Sequence, residues 1–303
     1  MDFEPFLSHM KTSRNCSAQT IRAYRSDLKM FEAFLLDRSI TRLSQIDHGV
    51  INEFIGHMEQ MVNLRSARIG LLDSSIARRL AAVSSFFEFA RANSNQQLRN
   101  PAKEIRRKRQ KNNEPKPVDD STLEDLLNGI KNLRDRTLFT LFLASGLRVS
   151  EMHQLDKNSI TIKLRVEPSG EQIFYGVGSV VGKGNKVRTF FVDKAAVCLL
   201  SKYLSTRTDN DPALFLSERK QRMSVRAIQY TLTTWCQTLR LPHINVHRLR
   251  HSFATKLANA EIPSMVLKDL MGHSSFTTTL GYFKLTDETL ARGYFSAMER
   301  VSR

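Results

Sequence analysis

Four short stretches of the chain carry side chains suited to moving a phosphoryl group. SGLRVSE places Arg148 at a helix turn with Glu151 three residues on, and GKGNK carries Lys183 between two glycines. HRLRH sets His247 and Arg250 three apart, on one face of a helix, and MGHSSFTTTLGYF puts His273 nine residues before Tyr282. Moving a phosphodiester without metal or nucleotide needs a nucleophile, charge stabilisation on the non-bridging oxygens and an acid for the leaving oxygen. Tyr282 titrates near about 10 in water, so it must lose its proton during attack or beforehand in a cationic pocket. Arg148 and Arg250 offer planar, paired donors that match phosphate oxygens and stay charged at every working pH. His247 and His273 add donors or proton acceptors, and Glu151, too costly to bury unpaired, orients the cations.

Taken singly, each stretch has a plainer reading. A lysine at a hairpin tip is by default a solvated turn residue. HRLRH also suits a basic helix lying on a polyanion without chemistry. His247 and His251 stand at the i,i+4 spacing of a zinc pair, but no Glu lies between them and no nearby Cys or acid offers a third ligand. The Gly-rich GVGSVVGKGNK fails the P-loop pattern, with Val177 where the first Gly belongs and Gly184 where the hydroxyl belongs. It fails G-x-G-x-x-G at Val181. ATP is not indicated, and no cofactor is expected.

The order of the pieces is specific as a set: Arg and Glu, hairpin Lys, His-x-x-Arg, Gly-His, then Tyr. In it the chain resembles the tyrosine recombinase (phage integrase) family, whose motifs read G-L-R-x-S-E, G-K-G-x-K-x-R, H-x-L-R-H, L-G-H and a terminal Tyr. Thr20, Tyr24, Asp27, Leu28 and Phe31, with the RRLAAVSSFF run closing at Asn100-Pro101, resemble the family's helical core-binding domain. With little chain ahead of that pattern, the resemblance is to the compact two-domain kind, similar to Xer proteins and to transposon-borne resolution recombinases. Met271 stands where the family has Leu, Gly281 where it has a larger residue, and EPSGEQIFYGVGS lengthens the strand region before Lys183.

The resemblance implies a site-specific DNA recombinase acting through a 3′-phosphotyrosyl intermediate without metal or ATP. Its catalytic set would be Arg148, Glu151, Lys183, His247, Arg250, His273 and Tyr282, with Lys183 as general acid for the 5′-hydroxyl leaving group. The implied partner is double-stranded DNA with specific recombination sites, bound by a dimer at one site and a tetramer in synapsis. An accessory DNA-bending protein or a homologous partner recombinase are the further partners it suggests. Two rivals stand beside it: a non-cleaving DNA-binding regulator and a DNA-relaxing enzyme of the type IB topoisomerase kind.

These side chains need a scaffold, and the hydrophobic periodicity supplies one. Ile21, Tyr24, Leu28, Phe31 and Leu35 recur at three- and four-residue steps after Ser17 and Thr20, and Ile76, Leu80, Val83, Phe87 and Ala90 repeat the pattern. A third amphipathic helix starts near Ile46, and residues 1–100 carry no strand signal, so a helical core-binding domain, SAM-like by the resemblance, is expected there. Residues 118–303 should form the catalytic domain. There DRTLFTLFLAS reads as a buried helix stopped by Gly146, followed by a second helix entered at Val149 or Ser150. The period then changes to two across SITIKLRV through VRTFFV, with turns at Pro168-Ser169-Gly170 and Gly182 to Asn185, which predicts a small antiparallel sheet. Helical periodicity returns thereafter, so the fold class is mainly α with that one sheet. Leu290, Tyr294, Phe295 and Met298 form an apolar stripe that would cover its own core or dock on a neighbour, the latter favoured by the resemblance.

Charge points the same way. The 303 residues hold 46 Lys plus Arg against 30 Asp plus Glu, a net +16, and such a field favours a polyanion. The excess is densest in PAKEIRRKRQKNNEPKP, residues 101–117, which has three prolines, little apolar content and reads as an extended interdomain linker along a phosphate backbone. No run approaches the roughly 18 apolar residues of a membrane span, and the acidic start MDFEPFLSHM lacks the basic flank of a secretory signal, so a cytoplasmic chain without membrane partners is expected. Cys16, Cys198 and Cys236 are far apart and odd in number, which suggests inert buried thiols.

Overall fold

Local signals set the helices of the first half. The first, α1 (Glu4–Thr12), has Pro5 in its opening turn, where a missing N–H costs nothing. The Ser17 hydroxyl accepts from the Thr20 N–H at 3.1 Å and opens α2 (Ala18–Asp37), and the Asp47 carboxylate accepts from the Val50 N–H at 3.0 Å to open α3 (His48–Gln60). A pair of two-residue strands, β1 (Val62–Asn63) and β2 (Arg68–Ile69), leads to α4 (Asp73–Ala92). The computed structural model describes residues 1–63, 68–93, 98–103, 105, 116–182, 186–273, 275–283, 291, 294, 295, 298 and 299. The chain divides into two compact units, Met1–Asn112 and Asn113–Arg303.

The first unit packs Phe6, Leu28, Phe31, Phe54, Ile76 and Phe87 into one core. Asp27 sits fully buried beside this stripe because two cations of α4 meet it. The Arg78 Nη1 donates to its Oδ2, and the Arg79 Nε lies 3.6 Å from its Oδ1. The β1–β2 pair departs from the all-helical expectation, and strands of two residues are too short to show a period in sequence.

The second unit opens with α5 (Asp120–Gly129) and the buried α6 (Leu133–Ser145), which the Asn132 side chain caps by accepting from the Asp135 N–H at 3.1 Å. Gly146 ends α6 in the left-handed region at φ +59, where a side chain would be strained, and α7 (Val149–Gln154) follows at once. The predicted sheet is β3 (Thr161–Val166), β4 (Gln172–Val181) and β5 (Val187–Val192), antiparallel in that order, with Thr161 opposite Val177 and Val181 opposite Val187. Strand β5 alternates: Arg188, Phe190 and Val192 point inward. Helices α8 (Lys194–Ser205), α9 (Val225–Thr238), α10 (Val246–Asn259), α11 (Ser264–Met271) and the short α12 (Phe276–Leu280) complete the unit. Its main core gathers Phe139, Phe142, Phe190, Leu200, Leu232 and Leu249.

Of the thiols expected to be buried, Cys236 is, but Cys198 is exposed and Cys16 half-buried. Cys198 lies on α8 beyond the stripe of Ala196, Val197, Leu200 and Tyr203 that faces the core. Most of the expected 101–117 linker lies outside the described residues. Of the C-terminal stripe, Tyr294, Phe295 and Met298 are exposed, and Leu290 lies outside the described residues. Among the described residues no helix is long and apolar enough to cross a membrane.

Candidate active site

The end of α11 organises the site. A helix terminus leaves its last carbonyls without partners and negatively polarised, and here three consecutive ones are taken by three arginines from different elements. Arg188 of β5 donates from Nη1 to the Leu270 carbonyl, and Arg250 of α10 donates from Nη2 to that of Met271. Arg148, in the turn before α7, donates from Nη2 to the Gly272 carbonyl at 2.8 Å. Gly272 itself is left-handed at φ +59, and a Cβ there would sit 2.7 Å from the Arg188 Cδ.

Glu151 is the counter-ion. Its Oε1 accepts from the Arg148 Nη1 at 2.8 Å, and its Oε2 accepts from the Arg188 Nη2 and the Arg148 backbone N–H, each at 2.7 Å. The Arg250 Nη1 lies 3.9 Å from that Oε2 and donates to the Gly146 carbonyl at 2.6 Å. Burial would raise the Glu151 carboxyl, but the hydrogen bonds from Arg188 and Arg148 and the Arg188 charge outweigh it and hold it below the usual carboxylate range. Three guanidiniums against one carboxylate leave uncompensated positive charge. Burial, with Arg148 and Arg188 beside it, pushes Arg250 down to about 9, so it remains cationic at neutral pH and gains from an arriving anion.

The histidines surround this cluster. Asn245 caps α10 by accepting from the Arg248 N–H at 3.0 Å, which sets the face carrying His247, Arg250 and His251. The rings of His247 and His251 meet edge to face at 4.3 Å, and among the described residues no group of metal-ligating side chains gathers around them. Partial desolvation, Arg250 and Arg148 lower His247 although its edge is exposed to solvent. Desolvation and the same arginines push His273 down to about 4, and its Nδ1 pairs with the Thr279 hydroxyl at 3.0 Å. Tyr282 is 6% exposed, packed with Ala254, Leu267 and Met271, its ring nearly parallel to that of His273 at 6.1 Å. Its hydroxyl lies 2.6 Å from the Nδ1 of His251, and burial raises its pKa against the lowering effect of Arg250.

A cleft of about 750 Å³ opens beside this cluster, lined by Arg148, Lys186, Arg188, Lys268, Gly272 and His273 among others. Of the residues singled out from sequence, Arg148, Glu151, His247, Arg250, His273 and Tyr282 are thus gathered on one side of the second unit. Lys183 lies outside the described residues; its hairpin base is closed by the Gly182 N–H donating to the Lys186 carbonyl at 2.8 Å. A Cβ on Gly182 would stand 3.8 Å from both the Arg148 Nη1 and the Glu151 Oε1, so that base abuts the cluster. Sequence reasoning gave Arg188 no role, although it stands at the last position of the G-K-G-x-K-x-R motif, and gave His251 no part beyond a zinc pairing. A signal for Arg188 exists in the alternation of β5, which puts an arginine on the face of Phe190 and Val192.

Residues 116–289 match the phage integrase family and residues 3–94 the phage integrase N-terminal SAM-like domain. The tyrosine recombinase XerC of Haemophilus influenzae Rd is 32% identical over 306 residues, covering 98% of this chain and 97% of that protein. XerC of Vibrio campbellii is 30% identical, covering 99% and 92%. Among solved structures, the XerH site-specific recombinase bound to difH substrate shares the fold at a TM-score of 0.69, with 22% identity over 95% of this chain and 83% of that one. The Tn1549 transposon integrase in complex with transposon right-end DNA does so at 0.71, with 18% identity over 100% of both.

Proposed function

The chain belongs to the phage integrase family and is a site-specific tyrosine recombinase, and from that premise we propose how its residues divide the reaction. Tyr282 is the nucleophile, attacking the scissile phosphorus of one strand of duplex DNA to leave a 3′-phosphotyrosyl bond and a free 5′-hydroxyl. Arg148 and Arg250 bind the non-bridging oxygens, where paired donors stabilise the charge that grows in the transition state. Arg188 and Glu151 hold those two guanidiniums in place. His247 and His273 donate to the same phosphate, and Lys183 protonates the leaving oxygen from the hairpin tip. The phosphotyrosyl ester retains the energy of the broken bond, so rejoining to a partner strand needs no ATP.

The observation that carries this reading is the excess of guanidinium over carboxylate at the end of α11, held by hydrogen bonds from within the chain. Both units contact DNA, the basic run at 101–117 adds backbone contacts, and the chain acts in the cytoplasm as a dimer on one site and a tetramer in synapsis. The exposed Tyr294 and Phe295 dock on a neighbouring protomer. Tyr282→Phe tests the centre: binding to a site-bearing duplex is expected to survive while covalent protein on a nicked substrate vanishes. An unchanged covalent yield refutes the assignment. Exchange between two sites, measured beside relaxation of a supercoiled plasmid and in EDTA, separates recombination from topoisomerase action and from metal-dependent cleavage.

A further inference from the structure

The Tyr282 hydroxyl meets an imidazole that no role above employs. Among the described residues its hydrogen-bond partner is His251, whose Nδ1 lies 2.6 Å away, with the two rings 5.6 Å apart. His273 stacks along the face of the Tyr282 ring, and its Nδ1 is engaged with Thr279, so it does not compete for that oxygen. We propose that His251 is a catalytic residue: its Nδ1 takes the phenolic proton of Tyr282 as that oxygen attacks phosphorus. The proposal rests on Tyr282 being the nucleophile.

The step balances. The Tyr282 Oη–H bond breaks as the His251 Nδ1–H bond forms, and the Oη–P bond forms as the P–O5′ bond breaks. The leaving oxygen takes a proton from the Lys183 ammonium. On rejoining, the attacking 5′-hydroxyl gives its proton to the Lys183 amine, and His251 returns its own to the departing phenol.

The surroundings suit the part. His251 is faced by His247 and Arg250 from its own helix and by His273 and Tyr282 from the segment after α11. Desolvation, His247 and Arg250 push it down to about 4, which leaves the Nδ1 lone pair free at neutral pH. Desolvation raises Tyr282, which therefore keeps its proton to donate. An imidazolium so close to Arg250 is disfavoured until a phosphate anion sits on the arginines. The base thus becomes effective when DNA occupies the site, and the phenol is not ionised idly in its absence.

The test is single-turnover formation of covalent complex on a nicked duplex by His251→Phe and His251→Gln. His251→Phe is expected to bind DNA as the parent does but to cleave some 10²–10⁴-fold more slowly, the usual worth of a positioned proton acceptor. Its residual rate should climb with pH where the parent has levelled off. The deficit should persist on a 5′-bridging phosphorothiolate, whose sulfur leaves without a proton; a defect in leaving-group protonation would disappear there. His251→Gln keeps an acceptor at the phenol but cannot be protonated, so it should preserve folding and remain slow, which covers the case of an unfolded Phe variant. Parental rates in either folded variant, rescue by the phosphorothiolate, or a pH profile parallel to the parent's would overturn the role. Tyr282→Phe run alongside separates the two readings: covalent complex in that variant sinks the nucleophile, whereas its loss with fast His251 variants sinks only the base.

Discussion

The Arg188 Nη2 donates to the Glu151 Oε2 at 2.7 Å, and both side chains are almost wholly buried. The pair joins the strand that follows the hairpin to the helix that follows Arg148, so it sets the distance between the hairpin base and Arg148 and Arg250. Breaking a buried pair by removing one partner costs about 3–5 kcal/mol, because the other charge is left uncompensated. Glu151→Gln, which leaves the arginines without their carboxylate, should lower the unfolding free energy read from urea denaturation by that order, Arg188→Met, which leaves Glu151 paired with Arg148, by less, and both should slow cleavage. The double variant should cost clearly less than the two single losses together. Simple additivity in urea denaturation would show that the two do not depend on each other.

The same carboxylate gives an acid limit. Its folded pKa lies below the unfolded value of about 4.3, so its contribution is present above that pH and is lost as pH falls through the lower folded value. Stability curves of Glu151→Gln should therefore lack part of the parent's decline below about pH 4.3; superimposable acid limbs would refute the pairing in solution.

His251 and His273 impose a second dependence in a different window. Folded, each titrates at about 4; unfolded, each takes a proton near about 6.5. The unfolded chain binds more protons between those values. Stability should be full above about pH 6.5 and fall as pH drops towards about 4. Denaturation midpoints at pH 7.5 and 5.0 in parent and His273→Leu measure this, with a smaller drop expected in the variant. An equal drop in both would mean that His273 is not held neutral.

Two glycines near Tyr282 should respond differently to alanine. Gly272 is left-handed and lies against Arg188, so Gly272→Ala should cost about 1–2 kcal/mol and disturb cleavage. Gly281 has φ −61, which any residue adopts, so Gly281→Ala should fold within about 0.5 kcal/mol of the parent. Thermal unfolding of both variants decides the point, and equal losses would contradict it.

The basic run should show itself through salt. Replacing Arg106, Arg107, Lys108 and Arg109 with Gln should weaken binding to specific and random duplex alike. Each lost phosphate contact should reduce the slope of log affinity against log salt by about 0.9. A parental slope would remove the linker from the DNA.

Much of this was legible because the signals are local. The Ser17 and Asp47 caps, the glycine stop at 146 and the alternation of β5 are written in a few adjacent residues. The motif order also singled out six side chains that the fold gathers, although they are scattered from 148 to 282. The use of Arg188 was hidden because its partners, Glu151 and the Leu270 carbonyl, lie 37 and 82 residues away. His251 was obscured by its neighbour: at i,i+4 from His247 it suggested a metal pair, and only the placement of Tyr282 reveals its other face. Asp27 on an apolar stripe likewise makes sense only once Arg78 and Arg79 arrive from another helix.

The succession of Leu270, Met271 and Gly272 carbonyls, each gripped by a different arginine, runs directly into the stretch that ends at Tyr282. Any displacement of that stretch is therefore felt by all three guanidiniums at once, so the placement of Tyr282 and the spacing of the cations form a single mechanical unit.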